Sequence, residues 1–259
     1  MQAPEYDTLR AAEDHHWWYA VLHGLVKRSL TGRLPPRGHV LDAGCGTGGM
    51  LDFLRWRIRC LDVEGIDASE LAVEHCQKRG LSTVRLGSVE RLPFEDGEFD
   101  AVLSLDVLYH AGVDEGRALG EMSRVLQPGG LLVVNLPAFE CLRGSHDQAV
   151  CGARRYKACQ VRSLLERHSL AVEMIHYWNA WLFPPLFMWR KWSRMGRRNG
   201  PQAVSDLHLT PGWLNRTLTW AGRLDAWLCR VVRVPFGSSV FVVACKVNPP
   251  SGGPCHGND

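Results

Sequence analysis

VLDAGCGTGG, residues 40–49, sets an acidic residue at the end of a short apolar run and then a glycine at every second position. Gly44, Gly46 and Gly48 let the backbone turn tightly and approach a ligand with no side chain in the way. The same ten residues satisfy GxGxxG through Gly44, Gly46 and Gly49, a pattern that by itself fits a dinucleotide site as well. What surrounds the turn must decide its meaning.

Outward from it, apolar runs bounded by glycine, proline and acidic residues alternate with helical segments, the pattern of a parallel sheet wrapped by helices. Strands are expected at 40–43, 63–66, 83–86, 101–105 and 131–135, and helices at 49–56, 69–79 and 115–126, with Ser69 as an N-cap. Beyond Pro137 the alternation loosens: 160–168 reads as a helix, and 171–178 and 239–247 as strands. The glycine- and proline-rich tail, 248–259, is expected to be flexible.

A chain of 259 residues has room for a core of about 150 residues and an elaboration. Hydrophobic residues make up 46% and charged residues 22%, the balance of a globular protein. The net charge of +3 is too small to be a nucleic-acid footprint without a concentrated basic face, so no nucleic-acid partner is expected. Nine cysteines with no CxxC pair, and no signal-peptide pattern in MQAPEYDTLR, point to free thiols and a cytoplasmic location. There is no apolar run of about 18 residues, so no spanning helix is expected, and no zinc-ligand set is apparent.

Asp67 ends the run VEGID, where an acidic side chain can accept from the two ribose hydroxyls of an adenosine group. NAD and S-adenosylmethionine both carry that ribose. Three features distinguish them, and through them residues 40–136 resemble the class I S-adenosylmethionine-dependent methyltransferases. Asp42 stands two residues before Gly44, where dinucleotide folds usually have an apolar residue. LGSVERLPFEDGEFDAVLS, 86–104, is similar to the family's third and fourth strands with their connection. RVLQPGGLLVV, 124–134, is similar to its helix, proline-glycine turn and fifth strand.

The resemblance implies an α/β fold: a Rossmann-like, seven-stranded, mostly parallel sheet with helices on both faces and a helical insertion before the last strand. It implies a cap at 1–38, a cofactor-binding core at 39–178, the insertion at 179–237, the last strand at 238–247 and then the tail. It implies S-adenosylmethionine as cofactor and S-adenosylhomocysteine as product. Asp42 would help hold the methionine end, Asp67 the ribose, and Gly44, Cys45, Gly46, Gly48 and Ala68 the surrounding turn. Leu105 and Asp106 would neighbour the methionine part. Ser88 stands where many relatives have an aspartate facing the adenine amino group, so its hydroxyl or the Val89 backbone would take that place. EDHHWWYAVLHGLVKRSL, 13–30, resembles an amino-terminal helix that folds over the cofactor; Trp17, Trp18 and Tyr19 either exclude water there or anchor the helix.

Methyl transfer from a sulfonium is an in-line displacement that needs alignment and desolvation more than covalent help. An oxygen or nitrogen acceptor can still need a base, and histidine titrates in the right range. Two of eleven histidines are placed for it. His110, in SLDVLYH, follows the fourth strand and serves either as a base or as a packing and capping group. His146 lies in LRGSHDQAVCGARRY, a stretch similar to one found in bacterial small-molecule methyltransferases. There either Asp147 orients it and Arg154, Arg155 and Tyr156 bind an anionic or hydroxylated acceptor, or the stretch is a hydrogen-bonded loop that shapes the pocket.

The insertion carries six of the ten tryptophans: Trp181, Trp189, Trp192, Trp213, Trp220 and Trp227. Residues 213–231 repeat apolar side chains at helical spacing, with Arg216, Arg223 and Arg230 every seven residues. Such a segment closes over a hydrophobic acceptor, contacts a membrane through 180–233, or forms a homodimer contact. The function expected is methyl transfer, first of all O-methylation, to a small hydrophobic or lipid-like acceptor. Its rivals are an NAD-dependent oxidoreductase, a nucleic-acid methyltransferase, disfavoured by the lack of an NPPY-like tetrapeptide, and a non-catalytic binding protein.

Overall fold

The computed structural model describes residues 3–58, 61–144, 147, 150–196 and 211–247. The tail expected to be flexible and the candidate base His146 lie outside the described residues. The chain opens with α1 (Ala3–His15) and α2 (Trp17–Leu30). Then follow β1 (His39–Ala43), α3 (Gly49–Arg57), β2 (Asp62–Asp67), α4 (Glu70–Lys78), β3 (Val84–Leu86) and β4 (Phe99–Leu105). After them come α5 (Glu115–Val125), β5 (Leu126–Pro137), α6 (Ala158–Glu166), β6 (Leu170–Trp178), α7 (Phe183–Gly196), α8 (Gly212–Val231) and β7 (Ser239–Lys246).

The strands form one seven-stranded sheet in the order β3-β2-β1-β4-β5-β7-β6. Strands β1 to β5 pair in parallel, while β7 runs antiparallel to both β5 and β6. The expected mostly parallel sheet is therefore present, with a single reversed strand. Because the chain steps outward from β1 to β3 and then returns to lay β4 on the other side of β1, the loops after β1 and β4 diverge. Their divergence leaves a crevice at the carboxyl ends of these strands, where ligands bind in such folds.

Side chains alternate between the two faces with the strand period of two. Leu41, Val102, Leu132, Val134, Val240 and Val242 pack beneath α5 and α6. Val40, Leu103, Leu131, Val133, Phe241 and Val243 pack against α2, α3 and α8. Fully burying each such aliphatic side chain contributes about 1.5–3 kcal/mol. Ser69 caps α4 as expected, its hydroxyl accepting from Ala72 N.

The segment 13–30, read as one helix, is broken at His16. The His16 ring accepts from Trp18 N at 3.3 Å and starts α2 anew. Asn215 of α8 spans the break: its Oδ1 accepts from Trp17 N at 2.8 Å and its Nδ2 donates to His15 O at 2.6 Å. Among the described residues no helix is long and apolar enough to cross a membrane.

Candidate active site

The glycine turn leaves β1 with Gly44, Gly46 and Gly48 at φ of 91°, 55° and 82°. Gly44 N and Cys45 N donate to Ile66 O at 2.8 and 3.0 Å, which ties the turn to β2. A Cβ on Gly44 would lie 2.4 Å from Val107 Cγ2. Gly44→Ala therefore combines a forced left-handed alanine with a steric overlap and should cost about 2–3 kcal/mol in urea unfolding while abolishing ligand binding.

Carboxylates gather around this turn. Asp67 Oδ2 accepts from Gly46 N and Oδ1 from Ser69 N, both at 2.9 Å, and its pKa is raised chiefly by burial. Asp42 is 2% exposed, and its Oδ1 has no hydrogen-bond partner. Burial, with Glu13 and Asp67 nearby, pushes its pKa up to about 8. Asp106 follows β4 in the left-handed region, φ 56°, accepts from Asn135 Nδ2 at 2.8 Å, and is pushed by burial to about 7. Asn135 in turn accepts from Trp178 Nε1 at 2.9 Å, so the acid is held by a chain that reaches β6. A non-glycine residue in this conformation costs on the order of 1–3 kcal/mol, a strain typical of functional sites.

The sequence reading missed Glu13. It reaches from α1 to the start of α3, accepting from Thr47 Oγ1 at 2.5 Å and Gly49 N at 2.8 Å, with Arg79 at 3.4 Å. Burial still pushes it up to about 7. In the sequence it looks like any acid on a helix surface; only the packing of α1 reveals it.

These groups wall one end of a cavity of about 720 Å³. Asp42, Gly44, Cys45, Gly46, Asp67 and Ala68 line it from β1 and β2. Ser88, Val89, Leu105, Asp106 and His110 line it from the loops after β3 and β4, and Trp17, Trp18 and Tyr19 from α2. Gly48, expected among them, is not in the wall: a Cβ there would meet Leu81 and Cys76, so this glycine serves packing against α4. Trp18 packs tilted against Trp178 at 5.4 Å and edge-on to Tyr19 at 5.0 Å, and the α2 aromatics both anchor the helix and line the cavity.

The half-buried His110 ring, also in the wall, lies 4.4 Å from that of Tyr109 and is bonded to the backbone of Val150 and Asp106. Burial lowers its pKa, which favours the neutral imidazole. Leu182 and Leu186, flanking the start of α7, and Leu142 give the cavity an apolar wall. Asn179, φ 57° and 0% exposed, also lines the cavity, and neither of its amide atoms has a partner. It was not singled out from the sequence, where an asparagine after a strand reads as a turn residue.

The RRY segment is largely a hydrogen-bonded loop. Arg154 donates to His110 O at 3.0 Å and Val113 O at 2.7 Å and pairs with Glu115 at 3.1 Å. Tyr156 donates to Leu108 O at 3.1 Å and to Glu115. Neither lines the cavity; both knit its outer loops together. Asp147 is 2% exposed and bonded to Arg155 Nε at 2.8 Å, Arg155 Nη2 at 3.1 Å and Gly144 N at 2.7 Å. Of the segment's three polar side chains only Arg155, held by Asp147, remains at the cavity wall.

The strand order β3-β2-β1-β4-β5-β7-β6 with β7 reversed, around a glycine turn and an acid at the end of β2, is a class I methyltransferase fold. Residues 41–134 match the family model described as a methyltransferase domain. Over 165 residues the chain is 31% identical to a "probable S-adenosylmethionine-dependent methyltransferase" of Mycolicibacterium smegmatis, covering 62% of each chain. It is 39% identical over 98 residues to phthiotriol/phenolphthiotriol dimycocerosates methyltransferase 1 of Mycobacterium ulcerans, covering 36% of this chain and 35% of that one. The match thus spans less than two thirds of these relatives' lengths. Among solved structures, geranyl diphosphate C-methyltransferase from Streptomyces coelicolor A3(2) superposes with TM-score 0.57 at 18% identity, over 87% of this chain and 78% of that one. The chain therefore has a methyltransferase-domain match over residues 41–134 and the fold of solved methyltransferases.

Proposed function

We propose that the protein transfers a methyl group from S-adenosylmethionine to a small hydrophobic or lipid-like acceptor, with oxygen as the atom methylated. The observation that carries the cofactor reading is the carboxylate-walled end of the cavity. Burial pushes the carboxyls of Glu13, Asp42 and Asp106 up, even though Arg79 acts on Glu13 and Arg155 on Asp106, and one oxygen of Asp42 lacks a donor. A ligand bearing an ammonium and a sulfonium relieves both conditions, whereas the diphosphate of NAD would add negative charge.

In this reading Asp67 accepts from the ribose hydroxyls, Asp42 and Asp106 face the methionine end, and Ser88 and Val89 flank the adenine. Trp18 and Tyr19 exclude water and present ring faces to positive charge. The bound cofactor supplies an electrophilic methyl on sulfur. The chain aligns the acceptor against it, and His110, neutral at pH 7, takes the acceptor's proton. The apolar wall supports a hydrophobic acceptor, as does the lipid named for the Mycobacterium ulcerans relative.

Calorimetric titration tests the cofactor: S-adenosylmethionine and S-adenosylhomocysteine should bind and NAD should not. Formation of S-adenosylhomocysteine with long-chain hydroxylated acceptors tests the reaction. Tight cofactor binding with no turnover on any such acceptor would instead favour a binding protein.

A further inference from the structure

The helix α8 turns its apolar side chains to solvent. Its inward face is small or polar: Gly222, Ala226 and Cys229 are buried, and buried Asp225 accepts from Ala180 N and Trp181 N at 3.2 Å each. A Cβ on Gly222 would lie 2.9 Å from Val21 of α2, so the two helices approach closely. On the outer face Trp213, Trp220 and Trp227, spaced seven apart, are 71%, 68% and 49% exposed. Leu224 and Val231 sit between and beyond them at 42% and 63%. At 3.6 residues per turn these five side chains fall within an arc of roughly 60°.

Arg216, Arg223 and Arg230, all exposed, form a second row along one shoulder of that stripe. Arg28 of α2 adds to it: partial burial and the charges of Arg230 and Arg223 together depress its pKa. Among the described residues none of these four arginines is paired with a carboxylate. The only acid in α8 is Asp225, which points inward. The outer face is therefore tryptophan-rich along its centre and carries positive charge alone.

We infer that α8 lies flat on an anionic membrane surface, with Trp213, Trp220 and Trp227 in the interface and Arg28, Arg216, Arg223 and Arg230 on lipid phosphates. Tryptophan favours the headgroup boundary, and each basic residue near such a surface adds attraction that salt screens. The apolar stripe fits a second copy of the chain too, but the unmatched arginine row has no complement on this helix. Docking here brings the bilayer to the element that holds Ala180 and Trp181, next to Asn179 and Leu182 of the cavity wall. The inference stands apart from the proposed methyl transfer, since it concerns a surface outside the cavity.

Co-sedimentation of the full chain with vesicles of equal parts phosphatidylglycerol and phosphatidylcholine tests it. Binding should be strong at low ionic strength, fall with salt, and be absent with phosphatidylcholine alone. Arg223→Gln with Arg230→Gln should weaken it roughly twenty-five-fold, about fivefold per arginine. Trp220→Ser with Trp227→Ser should abolish it while the melting temperature and S-adenosylmethionine affinity stay as in the wild type. No binding to anionic vesicles, or binding that survives the tryptophan double variant, would overturn the inference. So would a dimer in light scattering that the tryptophan variant splits into monomers, with no vesicle binding, because a second copy would then cover the face.

Discussion

Asp42→Asn should stabilise the ligand-free protein and weaken S-adenosylmethionine by roughly 30- to 1,000-fold, the cost of truncating one partner of a buried charge pair. Both effects come from one buried oxygen without a donor. The acid is pushed from 3.8 to about 8, Glu13 from 4.5 to about 7 and Asp106 from 3.8 to about 7. A carboxyl whose folded pKa is raised contributes stability fully below its ordinary pKa and loses it as pH rises through the folded value. Buried His23 and His176 act oppositely: lowered from 6.5 to about 4, they contribute fully above 6.5 and lose that as pH falls toward 4. Between pH 6.5 and 8 the carboxyls therefore set the slope among these groups, and the melting temperature of the ligand-free protein should fall. Asp42→Asn should flatten that fall. A bound cation favours the ionised acids, so binding should release protons and affinity should rise with pH over the same window, by up to about tenfold per unit for each proton. Calorimetry in buffers of different ionisation enthalpy counts those protons; wild-type affinity in the Asn variant would remove Asp42 from the site.

His110→Asn should lower kcat by about 10²- to 10⁴-fold while leaving the dissociation constant for S-adenosylmethionine unchanged. His110 holds the loop through its backbone, its N donating to Val107 O at 3.1 Å and its carbonyl accepting from Arg154 at 3.0 Å, and through its ring, bonded to the backbone of Val150 and Asp106; an asparagine keeps the first set and can renew part of the second. Burial lowers the imidazole pKa, so the acid limb of the wild-type kcat should lie below that of an ordinary histidine. In the variant that acid limb should vanish. A histidine that merely packs on Tyr109 would move stability and KM instead, so an unaltered kcat and pH profile would exclude the base.

Strands β1 to β5 were legible because each is an apolar run ended by glycine, proline or an acid, as in Val40–Ala43 before Gly44. The cofactor end was legible for the same reason: Asp42, Asp67 and Asp106 sit at strand ends, and strand ends share one edge of a parallel sheet. What escaped depends on distant partners. Nothing local marks His16 as a helix break, since the break is bridged by Asn215, far along the chain. Glu13 and Asn179 gain their places from the packing of α1 and of the β6–α7 connection. For Arg154 and Tyr156 the choice between acceptor ligand and loop group turned on Glu115 and on loop carbonyls, which bind both.

The position of β7 also bears on how the chain reaches this state during synthesis. Among the described residues strand β6 pairs only with β7, from which residues 179–238 separate it in the sequence. While the ribosome makes that stretch, β5 and β6 both present bare backbone edges. Such edges are a hazard for wrong pairing. The last strand made closes both at once, like a key turned after the door is hung.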